Sequence, residues 1–159
     1  VSSNGVVWAT HSNPTTADNV STPVGAGVGT FTAELTELWG STTYYIRAYA
    51  TNNGGTAYGQ VVEFRTAPPV APTVVTAAAS VISGTEAEGG GEIISHGGSQ
   101  ISTRGLVWST EPNFDPAGVS QSQRTAQSGY ELGSFTHQLT NLTPGTTYYI
   151  RAYAESEAG

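Results

Sequence analysis

The sequence predicts an all-β chain built from two partial copies of one sandwich module, and three observations carry that prediction. The first is a repeat: TTYYIRAYA occupies residues 42–50 and returns, letter for letter, at 146–154. The second is its extent. NGVVWAT (4–10) matches RGLVWST (104–110) at an offset of 100, and FTAELTELWGSTTYYIRAYA (31–50) matches FTHQLTNLTPGTTYYIRAYA (135–154) at an offset of 104. The four extra residues fall between those blocks, where Asn, Pro, Asp and Gly mark surface loops that tolerate insertion. The third is composition: Thr and Ser make up about a quarter of the chain beside 20 Gly and many Val, Ile and Tyr, the palette of strands and turns.

Alternation and turn punctuation predict the elements in order. The first copy ends on a closing strand at 57–66. The second copy has strands at 74–81, 87–95, 101–109, 120–126, 134–139 and 147–155. The first copy contains no counterpart of the opening pair 74–81 and 87–95, and the second none of the closing strand. A whole unit is therefore about seven strands in roughly 100 residues, the dimensions of an immunoglobulin-like sandwich. Residues 1–66 read as the C-terminal part of a first module and 74–159 as a second module lacking its last strand. Between them, APPVAPT (67–73) is Pro-rich and predicts an extended, semi-rigid connector.

The repeated phrase has a local explanation. At 142–148 the chain reads LTPGTTY, so Leu142, Pro144 and Tyr148 predict a tyrosine corner, in which the ring is buried and its hydroxyl returns to the backbone. The first copy keeps Leu38 and Tyr44 but sets Trp39-Gly40 where the second has Thr143-Pro144. If Tyr148 points inward, alternation sends Ile150, Ala152 and Ala154 inward too, the alanines leaving room for rings such as Trp108 or Phe135 from the facing sheet. Tyr149, Arg151 and Tyr153 then face outward, as do Tyr45, Arg47 and Tyr49. Such a face is either a stack with guanidinium between rings or a surface for sugar rings. Trp8 and Trp108 read as core residues. Trp39 has no repeat partner and is the candidate for a module-specific contact.

The corner and strand LTPGTTYYIRAYA, followed in the first copy by the turn TNNGGTAYG, resemble fibronectin type III modules. GLVWSTEPNFDP together with SFTHQLTNLTPGTTYYIRAYA resembles the tandem fibronectin-like repeats of large surface and secreted proteins of Bacteroidota, gliding-motility adhesins among them. The resemblance covers essentially the whole chain. It differs from animal modules in carrying Trp on the third strand rather than the second, and no Arg-Gly-Asp occurs. It implies a non-catalytic structural segment at the cell surface or secreted, an adhesin stalk or surface fibre. Its partners would be neighbouring repeats, other copies of the chain or surface glycans. Two alternatives stand beside it: a carbohydrate-binding accessory module of a secreted enzyme, and a filament subunit that assembles by strand exchange.

Composition narrows the chemistry. A formal net charge of −7 disfavours nucleic acid, which asks for a basic footprint. With no Cys there is no disulfide, thiolate metal site or cysteine nucleophile, and with no Lys there is no isopeptide crosslink. No run of residues is apolar enough to span a membrane, and the N-terminus lacks the pattern of a signal peptide. His11, His96 and His137 lack metal-ligand spacing and read as solvent-facing. No G-x-S-x-G is present, and Glu86, Glu88 and Glu92 around a triple glycine read as a solvated edge. Asp18 and Asp115 read as turn formers. No cofactor and no enzymatic activity are expected.

Overall fold

The computed structural model describes residues 1–22, 27–129 and 131–159. It divides into two compact units, Val1–Pro68 and Pro69–Gly159.

Unit 1 holds one five-stranded antiparallel sheet of β1 (Ser3–Ala9), β2 (Asn19–Val20), β3 (Thr43–Asn52), β4 (Gly55–Tyr58) and β5 (Val62–Arg65), in the order β2-β1-β3-β4, with β5 also on β3. β3 turns into β4 through Asn-Asn-Gly-Gly: Gly54 N donates to Asn52 Oδ1 at 2.8 Å, and Gly55 takes a φ of 131°. The closing strand expected at 57–66 is thus two pieces. Tyr49 pairs with Tyr58 but Ile46 pairs with Val62, so one extra residue is accommodated between the pieces. A bulge of this kind interrupts the ladder without ending it, and Gly59 N still donates to Ala48 O at 2.9 Å.

Unit 2 contains β6 (Thr73–Val81), β7 (Ala87–Ser95), β8 (Ile101–Ser109), β9 (Gln127–Ser128), β10 (Gly133–Leu139) and β11 (Tyr149–Ser156). They form two antiparallel three-stranded sheets, β10-β7-β6 and β11-β8-β9. Ile93, Ile101, Leu106, Trp108, Phe135 and Leu139 are buried between them, with Val74, Tyr148, Ile150 and Ala152 packed alongside. The chain makes two strands in one sheet, two in the other, then returns to each in turn. With the corners described below, this is the Greek-key sandwich architecture that fibronectin type III modules share.

Of the two rings expected from the facing sheet beside the alanines of β11, only Phe135 lies there. Trp108 lies on the same sheet, cross-strand from Ile150, whereas Ala152 faces Gly91 of β7. A Cβ on Gly91 would stand 2.5 Å from that of Ala152, so the closeness of the two sheets calls for glycine at 91. Phe135, on the facing sheet, does border the same spot.

A further expectation is corrected. Residues 120–126 form a one-turn 3-10 helix, Gln121–Gln123, and a single bridge from Arg124 to Val107, with only Gln127–Ser128 as strand. Ser-Gln alternation offers no apolar face to bury, and Ser120 bonds locally to Ser122 at 2.9 Å instead. Residues 31–36, aligned with β10, are not a strand. β10 is held by β7, and among the described residues unit 1 has no strand in the place of β7.

Candidate functional site

Both units build a tyrosine corner. The Tyr44 hydroxyl accepts from Trp39 N at 3.1 Å, and the Tyr148 hydroxyl accepts from Thr143 N at 3.0 Å. That donated bond, by favouring the phenolate oxygen as acceptor, lowers the Tyr148 pKa from its ordinary value. Leu38 and Leu142 are half-buried beneath the turns and Pro144 is exposed. Tyr44 is buried and stacks on Phe64 of β5, with centroids 5.8 Å apart and planes at 23°. The backbone follows one path in both corners: Glu37 and Asn141 have φ of 57° and 58°, Ser41 and Gly145 of 52° and 71°.

The outward face of the repeated strand is not the open ladder expected. The loop after β1, and its counterpart after β8, folds back across it, and Val7 and Val107, on that face, are wholly buried. Arg47 lies over the Tyr58 ring, 4.1 Å from its centroid, and donates to the carbonyls of Pro14 and Asn13. Tyr58 in turn accepts from Thr16 N at 3.0 Å. Arg151 lies over Phe114 at 5.3 Å, and Arg124 over Tyr153 at 5.0 Å. Tyr49 is buried over Gly5, and Tyr153 is half-buried over Gly105, its hydroxyl donating to Thr125 O at 2.8 Å. As surface contacts Tyr49 and Tyr153 are therefore corrected. Tyr45 is half-buried, while Tyr149 and Arg151 are exposed.

Trp39 belongs to a different arrangement. In unit 1 it lines a cleft of about 500 Å³ with Trp8, His11, Asp18, Asn19 and Glu37. Here His11 Nε2 lies 3.0 Å from Asp18 Oδ1, and Asp18 Oδ2 accepts from Thr15 N at 2.8 Å. Asp18 is held below the usual carboxylate range, first by that backbone N–H and then by His11. His11 is raised, first by its bond to the Ser12 carbonyl and then by Asp18. Asn19 Nδ2 donates to Trp8 O at 3.2 Å. Trp39 is 46% exposed and Trp8 half-buried, whereas Trp108 is buried in the core of unit 2.

The remaining candidates have structural places. His96 is buried rather than solvent-facing, and its Nδ1 accepts from Gly98 N at 2.9 Å, closing a turn. His137 points into the sandwich edge-on to Phe135, and burial, then Arg104, lowers its pKa. Asp115 accepts from Ala117 N at 3.0 Å at the start of a one-turn helix. Glu88 and Glu92 are exposed and Glu86 half-buried. Among the described residues no three of His, Asp and Glu gather as metal ligands, and no helix is long and apolar enough to cross a membrane.

Sequence reasoning singled out Trp39 but missed its surroundings. His11 and Asp18 come from the β1–β2 connection and Asn19 from the start of β2, some 20 to 28 residues before Trp39, and no local pattern announces that they meet the corner. Glu37 did carry a signal: it stands where the second copy has Asn141, just before a Leu-to-Tyr spacing that both copies keep.

No family model matches the chain, and no curated protein matches it. Among solved structures it is similar to the crystal structure of chicken CNTN1 FN1-FN3 domains, at 20% identity and a TM-score of 0.43, over 99% of this chain and 51% of that one. The chain thus spans about half the length of that structure.

Proposed function

We propose that this chain is a length of tandem fibronectin-like repeats in a large extracellular or cell-surface protein, serving as an adhesin stalk or surface fibre of the kind its sequence resembles in Bacteroidota. The observation that carries the reading is duplication. The β1–β3 and β8–β11 ladders have the same register, and each feeds from the same tyrosine corner. A module repeated with its strand pairing intact, joined by Pro-rich chain, supplies length and spacing rather than chemistry. The acidic, Thr/Ser-rich surface keeps such arrays from clumping. The modules act by geometry, and no catalytic role is assigned to any residue.

An antibody against the chain tests this on its source cells. The reading expects labelling of intact cells or of the secreted fraction, and a denatured mass far above 16.4 kDa. Signal confined to the cell interior, or a native mass near that of this chain, overturns it. Association of such small chains into filaments would then favour strand exchange.

A further inference from the structure

The two tyrosine corners share a backbone path but differ in sequence at particular places. Unit 2 puts Asn141 and Gly145 at its two left-handed positions, residue types that enter that region readily. Unit 1 puts Glu37 and Ser41 there, at φ of 57° and 52°. Trp39 stands where unit 2 has Thr143, and is 46% exposed. A corner that only joins strands gains nothing from any of these three. Departures from what a fold favours locally collect where a protein does something besides fold.

Glu37 and Trp39 both line the cleft of about 500 Å³, whose other walls bring Asp18, Asn19 and His11. Indole, carboxylate and amide in one small concavity make a recognisable set. The C–H face of a sugar ring packs on an aromatic surface, while carboxylate and amide groups bond its hydroxyls. Two carboxylates in the lining, on a chain of net charge −7, repel uronic or sulfated sugars. The cavity beside the corner of unit 2 differs: about 380 Å³, with Ala79, Val81, Leu139, Leu142 and Ile150 in its walls and no Trp.

We propose that unit 1 carries a binding site for an uncharged glycan in the cleft between the β1–β2 connection and the tyrosine corner. Trp39 is the stacking surface, and Glu37, Asp18 and Asn19 are the hydroxyl partners. The site is independent of the stalk reading, since a chain in any location could carry it.

The full chain is titrated by calorimetry and tryptophan fluorescence with hexaoses of β-1,4-linked glucose, xylose, mannose and N-acetylglucosamine. Hexagalacturonate serves as the charged comparison. At least one neutral series binds and hexagalacturonate does not. Trp39→Ala weakens that binding by roughly tenfold or more. Glu37→Gly is the decisive second variant, because glycine suits the left-handed backbone: affinity falls while thermal stability holds or rises. The proposal is overturned if no neutral hexaose binds, if hexagalacturonate binds as well as the neutral sugars, or if both variants bind like the parent.

Discussion

Tyr153 lies across the backbone of Gly105, its partner in the β8–β11 ladder, so closely that a Cβ there would stand 3.0 Å from Cε1 of the ring. Tyr49 stands in the same relation to Gly5 in the β1–β3 ladder, at 2.9 Å. The Gly before the Val-Trp motif and the last Tyr of the repeated nonapeptide are thus two halves of one feature. The glycine makes a floor on which the ring lies flat against the sheet, under the loop that folds back over it.

Gly105→Ala should be costlier than Gly5→Ala. At Gly105 the new methyl also meets the Thr125 carbonyl, which is backbone and cannot step aside. At Gly5 it meets the Ser21 hydroxyl and the Tyr49 ring, both side chains. Overpacking of this kind costs about 1–3 kcal/mol, with Gly105 at the upper end and Gly5 at the lower. Urea unfolding followed at each unit's tryptophans measures both, and equal costs would contradict the geometry.

Tyr44→Phe and Tyr148→Phe remove the same hydroxyl from the same corner in different surroundings. The Trp39 N–H is partly buried, whereas the Thr143 N–H is exposed and can turn to water. The first change should cost about 1–2 kcal/mol and the second roughly 0.5 kcal/mol. Amide exchange should rise at Trp39 in the first variant and at Thr143 in the second.

Ser41→Gly should stabilise unit 1 by about 1 kcal/mol, since it relieves a side chain held at a φ of 52°. Gly145→Ala, at φ 71°, should destabilise unit 2 by a similar amount. Thermal unfolding of the two variants would move in opposite directions.

Through the imidazole range the histidines of the two units should act on stability with opposite signs. His11 is raised in the folded state, so its contribution is full below the ordinary imidazole value of about 6.5 and is lost as pH rises through its raised value. Asp18 is lowered, so its contribution is present above the ordinary value of about 3.9 and is lost as pH falls through its lowered one. The pair therefore supports unit 1 most between roughly pH 4 and 6.5. His137 is lowered by burial, so the unfolded chain takes the proton more readily and unit 2 weakens as pH falls through the imidazole range. Proton NMR should find His11 titrating above the ordinary value and His137 below it. Coincident titration of the two would refute this account.

What was legible in the sequence was whatever a strand carries within itself. β7 and β8 have the bounds that the sequence predicts, because the signals that delimit them are local. The corner was legible as well, since Leu, turn and Tyr lie within seven residues. Pairing was not. Residues 31–36 look like β10 yet form no strand, because strandness belongs to a ladder and β10 borrows its own from β7. The burial of Tyr49 was hidden for a similar reason: alternation puts it outward, and only the loop folding back shows that outward is not exposed. The cleft of unit 1 was half visible, as an unmatched Trp39, and half invisible, as three side chains brought in from the β1–β2 connection and the start of β2.

The matching registers have a consequence for the chain before it is folded. Gly5 meets Tyr49, Val7 meets Arg47 and Trp8 meets Ile46, as Gly105 meets Tyr153, Val107 meets Arg151 and Trp108 meets Ile150. Since the nonapeptide is identical in both copies, β3 can zip onto β8 with its ladder intact, and β11 onto β1. Newly made or refolding chains thus have a low-energy wrong pairing always at hand, separated from the right one mainly by loop closure over a longer stretch. Synthesis from the N-terminus favours the correct partner, because β1 and β3 are complete before β8 exists. Released from denaturant all at once, the chain loses that ordering and should return more slowly, with a fraction trapped in exchanged form.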